Sequence, residues 1–440
     1  MRPAARISAA MEILAKVEDK TSNIDHFLAT YFRQRRYAGS KDRHEIRERV
    51  YRIVRNRFKL EWWIEEVLEE KQTSRLLILS DIAFFQVLDL LELDKLFDGS
   101  KNQPETLNEN EKKIYQILAR EEILNSGMPR HVRCECPDWI LRKLEPVFMD
   151  ELERCMGALN EEAPLDLRIN SMKKTTREQS QKLLRKFGIE TEKTQYSPIG
   201  LRVRTRKRID QIPPFRNGLL EIQDEGAQIT AMLVDAQPGM QVADFCSGAG
   251  GKTLAIGAHM ENKGRVLALD TSSARLDKAA PRIKRAGLDN VERRQISDEF
   301  DPKLKRLAKK FDRVLVDAPC SGIGTWRRDP DTRRRFNQAD LEKMVQLQQS
   351  ILTSAARLVA PKGRLIYVTC SLIPDENEEQ VLNLLKKRDD FSAVSIQDIW
   401  SKMSPEMANW DGIVDGHMMR LTPHQYGTDG FFISILERSS

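Results

Sequence analysis

Past residue 226 the chain alternates between short apolar runs and helical patterns, and this alternation narrows its fold more than any other feature. The runs lie at 241–245, 264–269, 313–316 and 365–368, with helical spacing between them, as over 341–358. Strands that alternate with helices lie parallel, because each helix carries the chain back and covers a face of the sheet. A last run at 430–436 (GFFISIL) reads as one more strand. The fold class expected for 226–440 is therefore α/β, a sheet buried on both faces whose strand ends open on one crevice.

Upstream the character is different. Over 1–125 apolar residues recur at helical spacing, as in Ile7, Met11, Ile13, Leu14 and Val17, and again in Ile46, Val50, Ile53 and Val54 leading to Trp62, Trp63 and Ile64. The polar segment 97–104 (FDGSKNQP) is a loop, and the whole stretch reads as an all-α domain. Over 126–225 the runs 163–170 and 200–206 alternate as half-buried strands do, with an amphipathic helix between them over 176–188, so a linker and a small α+β subdomain are expected. A chain of 440 residues, 40% of them hydrophobic, is long enough for these three domains. No window approaches the roughly 18 apolar residues of a membrane span. Residues 1–10 lack the apolar core of an export signal, and the six scattered cysteines read as reduced thiols, so a cytoplasmic monomer is expected.

The first run of the α/β region leads into Asp244-Phe-Cys-Ser-Gly-Ala-Gly-Gly-Lys-Thr253. Gly248, Gly250 and Gly251 allow a tight turn and close backbone approach, and the helix that follows turns free N–H groups toward a ligand. A phosphate-binding loop matches at Gly251, Lys252 and Thr253, but Cys246 stands where its first glycine is needed. An adenosine-type ligand predicts an acid at the end of the second strand, where Asp270 stands, and has room for a further acid near the adenine amine in the next strand–helix turn, where Asp298 stands with Ser297 as its alternative.

Two more strand ends carry thiols. Val314-Leu-Val-Asp-Ala-Pro-Cys-Ser-Gly322 puts Asp317 and Cys320 just past one strand, and Leu365-Ile-Tyr-Val-Thr-Cys-Ser371 puts Cys370 past the next. A lone cysteine is most simply a small buried hydrophobe. Two of them at neighbouring strand ends beside a cofactor loop suit a specific chemistry. C5 of cytosine is a poor nucleophile until a thiolate adds to C6 and makes the ring an enamine. A carboxyl group at N3, the role open to Asp317, shares a proton as charge develops. A second thiol assists departure of the first. The residues do not say which thiol attacks.

The pair Asp317-Ala-Pro-Cys-Ser321 and Thr369-Cys-Ser371 resembles motifs IV and VI of the RNA cytosine-5 methyltransferases, the Sun (RsmB)/NSUN family. Residues 246–252 are similar to the family's motif I, Cys-Ala-Ala-Pro-Gly-Gly-Lys, with Ser247, Gly248 and Ala249 departing from it. Gln223-Asp-Glu-Gly-Ala-Gln228 and Asp429-Gly-Phe-Phe432 match two further segments, so the resemblance covers about 145–440. It implies a Rossmann-like S-adenosylmethionine-dependent methyltransferase domain, with Cys370 as nucleophile and Cys320 as the release thiol. It also implies that Cys246, Ser247, Gly248, Ala249, Gly250, Gly251, Lys252, Asp270, Asp298 and Asp317 line the cofactor. Gly39-Ser-Lys-Asp-Arg43 and the helix through Tyr51 and Arg55 resemble the NusB-like RNA-binding domain of bacterial members, which implies 16S ribosomal RNA as substrate over transfer RNA.

Three basic clusters are candidates for RNA contact. The first spans 33–59 with eleven arginines and lysines interleaved with Glu45 and Glu48, the second holds Arg202, Arg204, Arg206, Lys207 and Arg208, and the third holds Arg327, Arg328, Arg333, Arg334 and Arg335. The third adjoins the thiol chemistry, so phosphate contact is expected there. Cys134 and Cys136 with His131 lack the spacing and second pair of a zinc site, and no metal is expected. Trp62, Trp63 and His259 read as packing residues. A P-loop nucleotidase and a non-catalytic RNA-binding module are the competing functions.

Overall fold

The computed structural model describes residues 1–17, 24–204, 208–403, 413–414 and 416–440, which group into two units. One comprises 1–160 with 328–337, and the other comprises 161–327 with 338–440.

The second unit begins with a small antiparallel sheet. Its strands are β1 (Leu165–Ile169), β2 (Thr191–Lys193), β3 (Gly200–Val203) and β4 (Leu220–Ile222), in the order β2-β3-β1-β4. Leu167, Ile169, Leu201 and Leu220 bury one face against Leu184 and Ile189. The helix that supplies Leu184, Arg177–Arg185, starts on a capping box between Thr176 and Gln179, which satisfies two N–H groups that the first helical turn leaves open.

The large sheet follows. Its strands are β5 (Gln241–Asp244), β6 (Arg265–Asp270), β7 (Val291–Gln295), β8 (Phe311–Asp317), β9 (Val359–Thr369), β10 (Phe391–Ala393), β11 (Ile413–Val414), β12 (Met418–Leu421) and β13 (Phe431–Arg438). The order is β11-β12-β13-β9-β8-β5-β6-β7, with β10 on β13. The five strands from β7 to β9 are mutually parallel, and β13 runs antiparallel to β9 and β12. Side chains alternate between faces as strand geometry demands. Leu267, Leu269, Val314, Val316 and Tyr367 pack with Ile351, Leu352 and Ala355 of the helix Gln338–Ala356, while Val242, Val266, Leu315, Ile366 and Val368 pack with Ile229, Leu233 and Ile256. The chain runs outward from β5 to β7 and then resumes at β8 on the other side of β5, so the winding reverses between β5 and β8. That is where an open α/β sheet makes its crevice.

The first unit is helical, with Ile13, Leu28, Ile53, Leu77 and Ile82 fully buried. Trp63 packs in this core and its indole N–H donates to the Ile123 carbonyl at 3.0 Å. The change of character expected near 126 comes later, because the helices Arg130–Arg133, Asp138–Phe148 and Leu152–Asn160 belong to this unit. Glu135 shows why. Its carboxylate, 1% exposed, accepts the N–H groups of Phe58 and Lys59 at 3.0 Å each, at the open start of the helix Arg57–Trp62.

One backbone contact seats a site turn. The Gly324 N–H donates to the Cys370 carbonyl at 2.9 Å and the Gly324 carbonyl accepts the Gly430 N–H at 2.8 Å. A Cβ at Gly324 would lie 2.4 Å from the Gly430 oxygen. Gly324→Ala is expected to cost about 1–3 kcal/mol by forcing two backbones apart, read as a lowered midpoint of denaturant unfolding. An unchanged midpoint would show that the turn relaxes freely.

Candidate active site

The glycine loop joins β5 to the helix Gly251–His259. Gly250 caps that helix at φ +81°, a left-handed conformation that glycine adopts without strain. The loop is tied down on both sides. Ser247 N–H donates to the Leu269 carbonyl at 2.8 Å, and Gly248 N–H donates to Asp270 Oδ2 at 2.8 Å. Asp270 Oδ1 accepts the Ser272 N–H at 2.8 Å, so one carboxylate joins the ends of the first two strand–helix turns. Opposite, Arg282 holds the Ala249 carbonyl at 2.6 Å and the Gln223 amide holds that of Gly251 at 3.2 Å.

This loop forms one wall of a cavity of about 570 Å³, within the usual range for small-ligand sites. Cys246, Ser247, Gly248, Ala249, Gly251, Lys252 and Asp270 line it, with Phe245, Ile296, Leu347 and Ile351 making an apolar side. Asp317, Cys320 and Cys370 line its other end. Gly250 shapes the loop without lining the cavity. Asp298 departs from expectation. It is exposed, and its carboxylate turns back on its own loop to accept the Phe300 N–H at 2.7 Å and the Ser297 hydroxyl at 3.2 Å. Neither Asp298 nor Ser297 lines the cavity, whereas their neighbours Ile296 and Glu299 do.

The two thiols meet. Cys320 Sγ and Cys370 Sγ are 3.4 Å apart. The contact with Cys370 and burial push the Cys320 thiol well above its ordinary value. Lys252 Nζ lies 2.7 Å from Asp317 Oδ2 and 5.1 Å from the Phe431 ring centroid. Burial opposes the lysine charge, but Asp317, Cys370 and Asp244 outweigh it and its pKa rises. Burial pushes the Cys246 thiol up.

Sequence reasoning missed Glu376. This fully buried carboxylate accepts the Ser321 N–H at 2.8 Å, the Ser321 hydroxyl at 2.5 Å and the Gln348 amide at 3.0 Å. It lies in an acidic stretch, 374–379 (PDENEE), that reads like any solvated charge run.

The basic clusters are largely engaged within the protein. In the first, Arg35 pairs with Glu12, Arg49 and Arg52 with Asp81, Arg57 with Glu61 and Lys59 with Glu135, while Arg33, Arg36 and Lys41 are exposed. In the second, Arg202 pairs with Asp166, Arg204 with Glu192 and Arg208 with Asp210, and Arg206 and Lys207 lie outside the described residues. In the third, Arg327 is buried between Asp224 and Asp429, Arg333 is buried on Asn160 and the Leu159 carbonyl, and Arg334 and Arg335 pair with Glu61 and Asp331. The expectation of phosphate contact at these four arginines gives way to internal pairing.

Residues 231–437 match the family model described as 16S rRNA methyltransferase RsmB/F, and 136–210 match the ferredoxin-like domain of RsmF/B-like methyltransferases. The chain is 34% identical over 305 residues to a probable ribosomal RNA small subunit methyltransferase B of Synechocystis sp., covering 69% of this chain and 67% of the relative. It is 27% identical over 445 residues to ribosomal RNA small subunit methyltransferase B of Pectobacterium atrosepticum, covering 98% of each. Among solved structures, PH0851 superposes with a TM-score of 0.77 at 24% identity over 100% of this chain and 99% of its own. NSun6 from Pyrococcus horikoshii with SFG gives a TM-score of 0.60 at 21% identity over 69% and 98%. At these identities both show the fold.

Beneath the glycine loop, burial pushes the Asp244 carboxyl up to about 7 despite the Thr253 hydroxyl that donates to it at 2.5 Å. A carboxyl raised in the folded state binds its proton there first, so its contribution to stability is full below the unfolded pKa and is lost as pH rises to about 7. Asp244→Asn is expected to remove that loss, on the order of a few kcal/mol. Urea unfolding near neutral and at acidic pH measures it. Parallel pH dependence in variant and wild type would contradict the account.

Proposed function

The chain belongs to the RsmB/F family of 16S rRNA methyltransferases, and from that premise we propose that it methylates C5 of a cytosine in 16S ribosomal RNA through a covalent adduct on Cys370. It is an S-adenosylmethionine-dependent enzyme acting on RNA. The observation that carries the cytosine reading is the pair of sulfurs 3.4 Å apart, at the ends of β8 and β9, in the same cavity as the glycine loop.

The cavity suits the methyl donor. Ser247 Oγ is buried and has no hydrogen-bond partner among the described residues, an arrangement that a polar ligand would satisfy. Asp270 keeps acceptor capacity for ribose hydroxyls beyond its two backbone bonds, and the apolar side fits a purine face. When bound, S-adenosylmethionine supplies an electrophilic methyl group.

In the proposed reaction the Cys370 thiolate adds to C6 of the cytosine. The C5–C6 electron pair then attacks the methyl carbon, whose bond to sulfur breaks to give S-adenosylhomocysteine. Asp317 shares a proton with N3 as the ring gains charge, and Lys252 holds Asp317 in place. A base removes the C5 proton, the double bond re-forms, and Cys370 leaves as thiolate with help from Cys320. The likeness of Thr369-Cys-Ser371 to the family's motif VI supports this order of the two thiols.

The nucleotidase alternative is less well supported, because Lys252 is engaged by Asp317 rather than held for phosphates. Transfer RNA is the second substrate reading. Among the described residues no helix is long and apolar enough to cross a membrane. Also among them, no group of three or more His, Cys, Asp or Glu is placed to hold a metal ion. A monomer working in the cytoplasm, with no metal expected, is the form of the enzyme that we propose.

Cys370→Ala is expected to lower methyl transfer to 16S rRNA by on the order of a thousandfold or more while calorimetry shows S-adenosylmethionine still binding. Full activity in that variant would refute the nucleophile. Cys320→Ala is expected to accumulate a covalent RNA–protein adduct, seen as a slow band on a denaturing gel, and a clean lane would argue against the release role. Bisulfite sequencing of RNA from cells lacking the protein identifies the cytosine.

A further inference from the structure

We propose that Glu376 is a positioning residue of the two-thiol site, holding the Cys320 turn in register with the Cys370 turn and giving the two sulfurs unequal surroundings. The inference rests on the two-thiol reading above.

Each cysteine is gripped on both sides. Glu376 accepts the N–H and hydroxyl of Ser321, the residue after Cys320. The Gln348 amide that donates to Glu376 at 3.0 Å also donates to the carbonyl of Pro319, the residue before it, at 2.9 Å. The neighbouring Asn377 does the same for the other turn. Its amide donates to the Ser371 carbonyl at 3.0 Å, and the Thr369 hydroxyl donates to its Oδ1 at 2.5 Å. The Ser321 and Ser371 hydroxyls lie 3.1 Å apart and close the connection. Both turns therefore hang on adjacent residues at the end of one short turn, Pro374–Glu376.

A buried carboxylate is expensive when unpaired. Glu376 meets that cost with hydrogen bonds alone, for no cation pairs with it among the described residues. Its charge therefore remains available to act on Cys320, where it joins the Cys370 contact and burial in raising the thiol. Tyr367, whose hydroxyl donates to the Glu376 carbonyl at 2.7 Å, is a further titratable group near Cys320. Lys252, paired with Asp317 at 2.7 Å and within the field of Asp244, lines the cavity with Cys370 and Cys246. The two sulfurs therefore have different surroundings, a carboxylate behind the Cys320 turn and Lys252 in the cavity that Cys370 lines.

The test is alkylation of the full-length protein by iodoacetamide, without RNA or S-adenosylmethionine, resolved by peptide mass spectrometry. In Glu376→Gln, the Cys320 profile is expected to move to lower pH, with about tenfold more reaction in its rising limb for each unit moved. An unmoved profile in the folded variant overturns the role of the charge. Ser321→Ala keeps the charge and the backbone bond but removes the hydroxyl link. It is expected to lower kcat several-fold with KM values for both substrates unchanged, and Glu376→Gln is expected to retain more activity than Glu376→Ala. Wild-type kcat in Ser321→Ala overturns the positioning role, and this variant decides it where Glu376→Gln does not fold. Because alkylation needs neither substrate, an unmoved profile defeats this inference alone, whereas an active Cys370→Ala enzyme defeats the methyl-transfer reading alone.

Discussion

The site depends on the parallel ladder between β5 and β8, where Val242 pairs with Arg313 and Asp244 with Leu315. This ladder is the point at which the winding reverses, and everything chemical hangs from strand ends near it. Asp244 and the glycine loop end β5, Asp270 ends β6, Asp317 ends β8 and Thr369 ends β9. Because the strands are parallel, a single layer of carboxyl ends carries groups that are far apart in sequence. Their spacing follows from the roughly 4.8 Å interval between strands and needs no special loop. The loops then refine it, through Asp270 on Gly248 and Glu376 on Ser321.

The same burial that makes the sheet makes its edge a region of weak screening. Lys252 is a cation shared among carboxylates, paired directly with Asp317 and within the field of Asp244. Removing its charge leaves the half-buried Asp317 without its ion-pair partner, in surroundings where charge interactions are stronger than in bulk water. Asp244 responds by titrating near neutrality, while Glu376 is carried by hydrogen bonds. Each buried acid therefore reaches a different solution to one desolvation problem, and the differences give the crevice its chemical polarity.

Much of this was legible in the sequence because it depends on local rules. Short continuous apolar runs mark β5, β6, β8 and β9, and glycines mark a turn that needs left-handed backbone, as Gly250 does. Thiols directly after such runs must fall at strand ends. What escaped depends on partners distant in sequence. β7, with the sequence Val-Glu-Arg-Arg-Gln, is a half-covered edge strand and lacks the apolar run that marks a central one. Asp298 had the right position in the chain, but its side chain caps its own loop. The arginines of 327–335 look in sequence like a phosphate-binding run, and only the fold sets Asp224, Asp429 and Asn160 beside them. Glu376 is one acid among several until Ser321, 55 residues earlier, is seen to need it.

The two thiols show how far residue chemistry goes and what geometry adds. Either sulfur is able in principle to add to C6, since both sit at the end of a parallel strand in one cavity. Adding requires the thiolate, and assisting departure is served by a group that keeps its proton until the adduct has formed. At 3.4 Å the sulfurs are in contact, and that contact together with burial raises the Cys320 thiol. A hydrogen-bonded carboxylate stands behind the Cys320 turn, on Ser321, while Lys252 lines the cavity together with Cys370. In the proposed reaction the order of the thiols follows from what surrounds each strand end, which the identity of the cysteines alone does not specify.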